Sequence, residues 1–197
     1  MAAFPPRFAG RVAVVTGGSM GIGNAAARLL ASQGARVFVA DVVAPSADDA
    51  LEHLPCDASC AANIEAACSR VPDCDILVNN VAVQPEAPCH EHPLDAWERA
   101  IAVNLTSYFL FSKHLLPHML RKRSGAVVNV ASVQGLASQP GIPGYAAAKG
   151  GVLALTRQLA VEYAASGVRV NAISPVRRRV RNAPATGQAH AQALATG

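Results

Sequence analysis

Up to residue 175, short apolar runs alternate with stretches of helical periodicity, a pattern of parallel strands joined by helices. The run RVAVVT at 11–16 reads as a first strand, followed by a glycine turn and a helix over 22–33. Gly34 suits the left-handed residue that ends such a helix. RVFVA at 36–40 is a second strand, ending at Asp41. Residues 44–55 are weakly helical at best, and Cys56 and Asp57 close a very short third strand. A helix over 61–70 precedes a strand over 75–79. The stretch 93–121 reads as one long helix, with Trp97, Ile101, Leu105 and Phe109 recurring as a buried stripe. Pro117 should kink that helix or end its regular part. A strand over 126–130, a helix over about 144–165 and a strand over 168–173 complete the pattern. Strands this apolar need cover on both faces, so the expected fold is α/β, a doubly wound parallel sheet of about six strands.

With 197 residues, 51% of them hydrophobic and 15% charged, the chain can bury a core and fits one domain. The composition shifts after Pro175, which divides the chain into a domain over 1–175 and a tail over 176–197 read as disordered. The net charge of +4 is local: Arg177, Arg178, Arg179 and Arg181 supply it, and the 13 basic residues before them match 13 acidic ones. A nucleic-acid partner is therefore not indicated, and four tail arginines without an aromatic platform do not change that. No apolar run spans a membrane and no secretory signal is legible, so no membrane association and a cytoplasmic location are expected. Five cysteines without a CxxC pair fit reduced, mostly buried thiols. Cys89-His90-Glu91-His92 lacks the paired spacing of a zinc site, and no metal is expected.

Chemistry concentrates in three places. Thr16-Gly17-Gly18-Ser19-Met20-Gly21-Ile22-Gly23 lies between a strand and a helix, where glycines let a backbone approach a pyrophosphate at a helix N-terminus. An ordinary glycine turn would look the same. Asp41 stands where a carboxylate accepts both hydroxyls of an adenosine ribose and repels a 2′-phosphate. Neither Met20 nor Val42 is basic, which favours NAD over NADP. Tyr145 and Lys149 share a helix face, and an ammonium one turn away favours a phenolate. Ser132 follows the fifth strand, at the sheet edge where ligands bind in open α/β folds.

In combination these residues resemble the short-chain dehydrogenase/reductase family over about residues 8–175. The matching motifs are the Thr16–Gly23 segment, Asn79-Asn80-Val81-Ala82, Asn104, Ser132, Tyr145-Ala146-Ala147-Ala148-Lys149 and NAISP at 171–175. The resemblance implies a Rossmann-like fold and an NAD-dependent oxidoreductase that interconverts a small secondary alcohol and a ketone. It implies Tyr145 as general acid/base, Ser132 as the group orienting the substrate oxygen, and Lys149 as a ligand of the nicotinamide ribose. Asn104 would hold a water of the proton relay. Gly17, Ser19, Met20, Gly21, Ile22, Gly23, Asp41, Cys56, Asp57, Asn79 and Pro175 would line the cofactor, with Asp57 on the adenine amino group. For Asn79, bracing the sheet is as good a reading. A homo-oligomer through the two long helices is implied as well.

The chain departs from the pattern in three ways. Val81-Ala82 replaces Ala-Gly, and the span from Asp41 to Asn79 is short. After Pro175, Val176-Arg177-Arg178-Arg179 replaces the glycine and nicotinamide loop, and the family's final strand is not legible. A truncated or altered product is one expectation, with an uncovered sheet edge, marginal stability and impaired turnover. The alternative function is then a catalytically impaired protein that only binds nucleotide or a partner.

Overall fold

The computed structural model describes residues 6–47 and 49–176. Six strands form one parallel sheet: β1 (Val12–Thr16), β2 (Arg36–Asp41), β3 (Glu52–Pro55), β4 (Ile76–Asn79), β5 (Gly125–Val130) and β6 (Val168–Ile173). Their order across the sheet is β3-β2-β1-β4-β5-β6. Alternate residues enter opposite cores. Val14, Phe38, Leu77 and Val127 pack with α2 (Ala61–Ser69), α4 (Ser107–Lys122) and α5 (Pro143–Tyr163), whereas Ala13, Val15, Val37 and Val39 pack with α1 (Gly21–Ser32). Helices thus cover both faces, as the continuous apolar runs require. Among the described residues β6 is an outer strand, and Ile173 at its end is 47% exposed. The expected tail lies, from residue 177 on, outside the described residues.

One expectation about the long helical stretch fails, and one of the two outcomes expected at Pro117 does not occur. It is broken into α3 (Leu94–Ile101), a π-helical turn over Ala102–Thr106, and α4. The wider turn admits an extra residue and rotates the face that follows. Trp97 and Phe109 are 38% and 48% exposed, and the buried positions are instead Ala100, Val103, Asn104, Tyr108, Phe111 and Leu115. Nor does the helix end at Pro117, because α4 continues to Lys122 with Leu115, Leu116 and Met119 buried around the proline. Among the described residues of 44–50 none is helical, and the third strand lies at Glu52–Pro55, just before Cys56.

The strand order turns back between β1, which leads to β2, and β4, which leads to β5. That switch point opens a crevice at the carboxyl ends of the strands. The remaining chemistry is built on the segments that leave those ends.

Candidate active site

A cleft of about 530 Å³ opens there, reached by Gly17 after β1, Asp41 at the end of β2, Asp57 after β3 and Val81 after β4. The turn after β1 is left-handed at Gly17 and Gly21, with φ of 62° and 57°. α1 then starts with Met20 as an N-cap that makes no side-chain hydrogen bond, and no acid stands in its first turn. Its first N–H groups are open to an anion. A Cβ on Gly23 would strike the Gly17 carbonyl and the Asn80 amide, so only glycine lets the helix sit this close to the turn.

Asn80 locks the turn in place. Its side-chain nitrogen donates to the carbonyls of Thr16 at 3.1 Å and Gly17 at 2.9 Å. The Thr16 hydroxyl accepts the backbone N–H groups of Asn80 and Val81 at 2.9 and 3.1 Å. Asn79 goes the other way: it is fully buried and donates to Asn129 on β5 at 2.9 Å, bracing the sheet. Of the two asparagines, Asn80 is the one that lines the cleft.

Asp41 accepts the N–H groups of Ser19 at 3.0 Å and Val43 at 3.2 Å, which ties the glycine turn to the end of β2. The exposed Met20 and Val42 line the rim beside it. Asp57 accepts the N–H and hydroxyl of Ser59 at 2.8 and 2.7 Å, and these bonds hold its carboxyl below the usual range. Burial pushes the neighbouring Cys56 thiol up to about 11, so it lines the cleft as an inert apolar group. Arg99 on α3 also lines the cleft and lies near enough to Asp57 to act on its charge. No motif points to Arg99, which stands on an exposed helix face.

At the β5 end, Ser132 accepts the N–H of Gln134 at 3.2 Å and starts a 3₁₀ turn over Val133–Gly135. This turn rests directly on α5. A Cβ on Gly135 would lie 2.7 Å from the Lys149 carbonyl carbon and 2.8 Å from the Gly150 nitrogen. Backbone contact without an intervening side chain therefore sets the serine turn against the helix that carries Tyr145 and Lys149. Tyr145 is half-buried, and Lys149 Nζ lies 5.7 Å from its ring centroid. Lys149 itself is 1% exposed, and burial pulls its ammonium down to about 7. It donates to the Val130 carbonyl at 2.7 Å and to the Tyr108 hydroxyl at 2.9 Å.

The Asn104 side chain is committed within the π turn. Its oxygen accepts the Val83 N–H at 3.0 Å, and its nitrogen donates to the carbonyls of Val83 and Ala100, both at 2.8 Å. It thereby clamps the segment leaving β4 over the cleft. The Pro175 carbonyl lies 3.5 Å from the Val133 nitrogen, beside the serine turn. All five cysteines are free, with Cys56, Cys68 and Cys74 buried and Cys89 exposed. Among the described residues no group of three or more potential metal ligands comes together, and no helix is long and apolar enough to cross a membrane.

A parallel sheet with a glycine turn at its switch point and a serine, tyrosine and lysine beside it defines a dinucleotide-dependent oxidoreductase architecture. The family model for short chain dehydrogenase matches residues 11–186. The chain is 46% identical over 184 residues to cis-4-hydroxycyclohexanecarboxylate dehydrogenase of Sinomonas cyclohexanicum, covering 85% of this chain and 73% of that one. It is 38% identical to D-beta-hydroxybutyrate dehydrogenase of Rhizobium meliloti (84% and 70% covered) and 35% identical to meso-2,3-butanediol dehydrogenase of Serratia marcescens (86% and 72%). A crystal structure from Burkholderia xenovorans, described as a short-chain dehydrogenase/reductase, superposes with a TM-score of 0.80 at 35% identity, covering 86% of this chain and 75% of that one. The chain belongs to the short-chain dehydrogenase family and is an oxidoreductase acting on CH–OH groups. Members of the family use NAD(H) or NADP(H).

Proposed function

We propose that this protein is an NAD-dependent dehydrogenase of a small secondary alcohol, with Tyr145 as general acid/base. One observation carries the reading. The cleft begins at Asp41 and reaches Val81, whose carbonyl lies 3.2 Å from the Tyr108 hydroxyl, itself bonded to Lys149. A dinucleotide laid along the switch point would thus have its adenosine end at Asp41 and its nicotinamide end beside Lys149 and Tyr145. The open N-terminus of α1 and the Gly23 cradle fit a pyrophosphate between them.

In this reading Gly17, Ser19, Met20, Gly21, Ile22 and Gly23 hold the pyrophosphate, and Asp41 holds the adenosine ribose. Asp57 and Cys56 flank the adenine, Lys149 meets the second ribose, and Pro175 lies at the nicotinamide end. The bound cofactor supplies the hydride acceptor or donor. Ser132 donates to the substrate oxygen and fixes it near Tyr145. In oxidation the Tyr145 oxygen takes the hydroxyl proton, and in reduction it returns one. Asp41 beside the apolar Met20 and Val42 supports NAD over NADP, since a 2′-phosphate there would meet a carboxylate, and neither Met20 nor Val42 is basic. The three relatives above are named for secondary alcohols, which supports the substrate class. Exposed Phe109 on α4 and Val161 on α5 support a homodimer through these helices, which sedimentation would detect.

The test is a panel of cis-4-hydroxycyclohexanecarboxylate, D-β-hydroxybutyrate and meso-2,3-butanediol with NAD or NADP, read by NADH or NADPH formation. Tyr145→Phe is expected to lower the rate by more than about 100-fold while NADH fluorescence titrations stay unchanged. Near-parent turnover of that variant would refute the mechanism. Binding of NADH with no turnover of any secondary alcohol would favour the nucleotide-binding reading.

A further inference from the structure

One polar group beside the site takes no part in the proton transfer proposed above. Tyr108 on α4 is fully buried. Its hydroxyl oxygen accepts from Lys149 Nζ at 2.9 Å and lies 3.0 Å from the Val130 carbonyl and 3.2 Å from the Val81 carbonyl. A phenol has one proton to donate, so it serves these carbonyls while its lone pair receives the lysine. Lys149 Nζ also reaches the Val130 carbonyl at 2.7 Å and stands 4.8 Å from the Tyr108 ring centroid. Two of the three ammonium protons are thereby fixed, and one is left for a ligand.

We propose that Tyr108 is a positioning residue for the oxidoreductase reaction, its hydroxyl being the acceptor that holds the Lys149 ammonium beside Tyr145. This rests on the assignment of Tyr145 and Lys149 above. The groups that face Lys149 are few. Tyr108 comes from α4, Tyr145 from its own helix, the Val130 carbonyl from β5 and the Gly135 backbone from the 3₁₀ turn. Among the described residues no carboxylate is hydrogen-bonded or ion-paired with Lys149. With burial opposing the charge and no carboxylate beside it among the described residues, the neutral acceptors Tyr108 and Val130 are what take the place of water around the ammonium. Burial, and secondarily Tyr145, push the pKa of Tyr108 far up, so its hydroxyl stays neutral and able to accept.

Tyr108→Phe removes the oxygen and keeps the ring. The chain has three lysines, Lys113, Lys122 and Lys149, so the Lys149 signal is resolved by NMR of isotope-labelled lysine and assigned by its loss in Lys149→Met. In the cofactor-free protein the Lys149 midpoint is expected to fall by roughly half a pH unit or more in Tyr108→Phe. In turnover, kcat is expected to fall about tenfold with KM for the alcohol little changed, and the pH–rate profile to shift with the lysine. An unchanged Lys149 midpoint in the folded variant overturns the proposal, as does a shifted midpoint with an unchanged pH–rate profile. Tyr108→Leu reads the same titration if the phenylalanine variant does not fold. In the parent chain at pH 6 the ammonium should show NOEs to the Tyr108 ring protons, and their absence overturns the contact without any variant. The titration needs no turnover, so failure of the dehydrogenase reading would show separately, as a Tyr145→Phe variant that still turns over.

Discussion

Replacing Lys149 with methionine is expected to stabilise the cofactor-free chain at neutral and mildly acidic pH while abolishing its turnover. The side chain is 1% exposed and has two neutral acceptors, so its charge is held in the core with no carboxylate beside it among the described residues. Burial places its titration at about 7, against 10.5 for an ordinary lysine. Between those values the unfolded chain keeps a proton that the folded chain has released, so this residue makes stability rise with pH through that window. Below about 7 both states carry the proton and the full cost of the buried ammonium is present. The interval from about 7 to 10.5 is 3.5 pH units, which at roughly 1.4 kcal/mol each sets a ceiling of roughly 5 kcal/mol. Methionine forfeits the hydrogen bonds to Tyr108 and Val130, so a net gain of about 2–3 kcal/mol at pH 6 is expected. In a domain of this size that is roughly 5–10 °C in Tm.

The assay is urea unfolding of parent and Lys149→Met at pH 6, 8 and 10. The methionine chain should be the more stable at pH 6, and the difference should shrink steadily as the parent sheds its buried proton. A variant that is less stable at every pH, or a difference that does not change with pH, would refute the reasoning. The first result would mean that the ammonium stabilises the fold, and the second that burial does not perturb it.

Asp41→Ala should weaken NADH binding about tenfold by removing an acceptor for ribose hydroxyls, and should leave NADPH binding equal or tighter. Titration of intrinsic NADH and NADPH fluorescence checks this, and a variant that keeps the full NADH preference would sink the role of Asp41. Gly135→Ala forces a Cβ to within 2.7–2.8 Å of the α5 backbone at Lys149 and Gly150, so the serine turn must move away from Tyr145. Turnover should fall on the order of 100-fold and stability by roughly 1–3 kcal/mol. Parent-like kinetics and unfolding would show that the contact does not position Ser132.

The sheet was legible because five of its six strands announce themselves. RVAVV, RVFVA, ILV and AVVNV are largely apolar on both faces, VRVNAI alternates apolar with polar positions, and the observed strands match all five within a residue or two. The third strand, EHLP, is short and lies at the sheet edge with only Leu54 buried, so it carries little pattern. The π turn at Ala102–Thr106 was illegible, because one extra residue in a helix leaves no mark on composition yet rotates everything after it. That rotation is why Phe109, after the turn, is half-exposed and Tyr108 faces inward. An aromatic in an apolar helix reads as core, and only its hydroxyl's partners on β5 and α5 give it another meaning. For Asn79 and Asn80 the bracing role read for Asn79 is the one it plays, while the part of Asn80 went unread. Successive residues at a strand end point to opposite sides, so one braces Asn129 and the other reaches the glycine turn.

The spacing of Tyr145 and Lys149 was plain in the sequence, but depth was not. Residues one helical turn apart share a face, and a shared face would place both at the same distance from solvent. Here α5 lies against the serine turn through backbone contact at Gly135, and the two side chains diverge. Tyr145 remains half-buried, whereas Lys149 passes inward to the Val130 carbonyl and the Tyr108 hydroxyl. The proposed chemistry needs this asymmetry. A proton donor has to meet a diffusible substrate, and an ammonium acts most strongly on a neighbouring oxygen when water is kept from it. The motif names the two groups, and the glycine contact and Tyr108, which belong to other elements, set how deep each one lies.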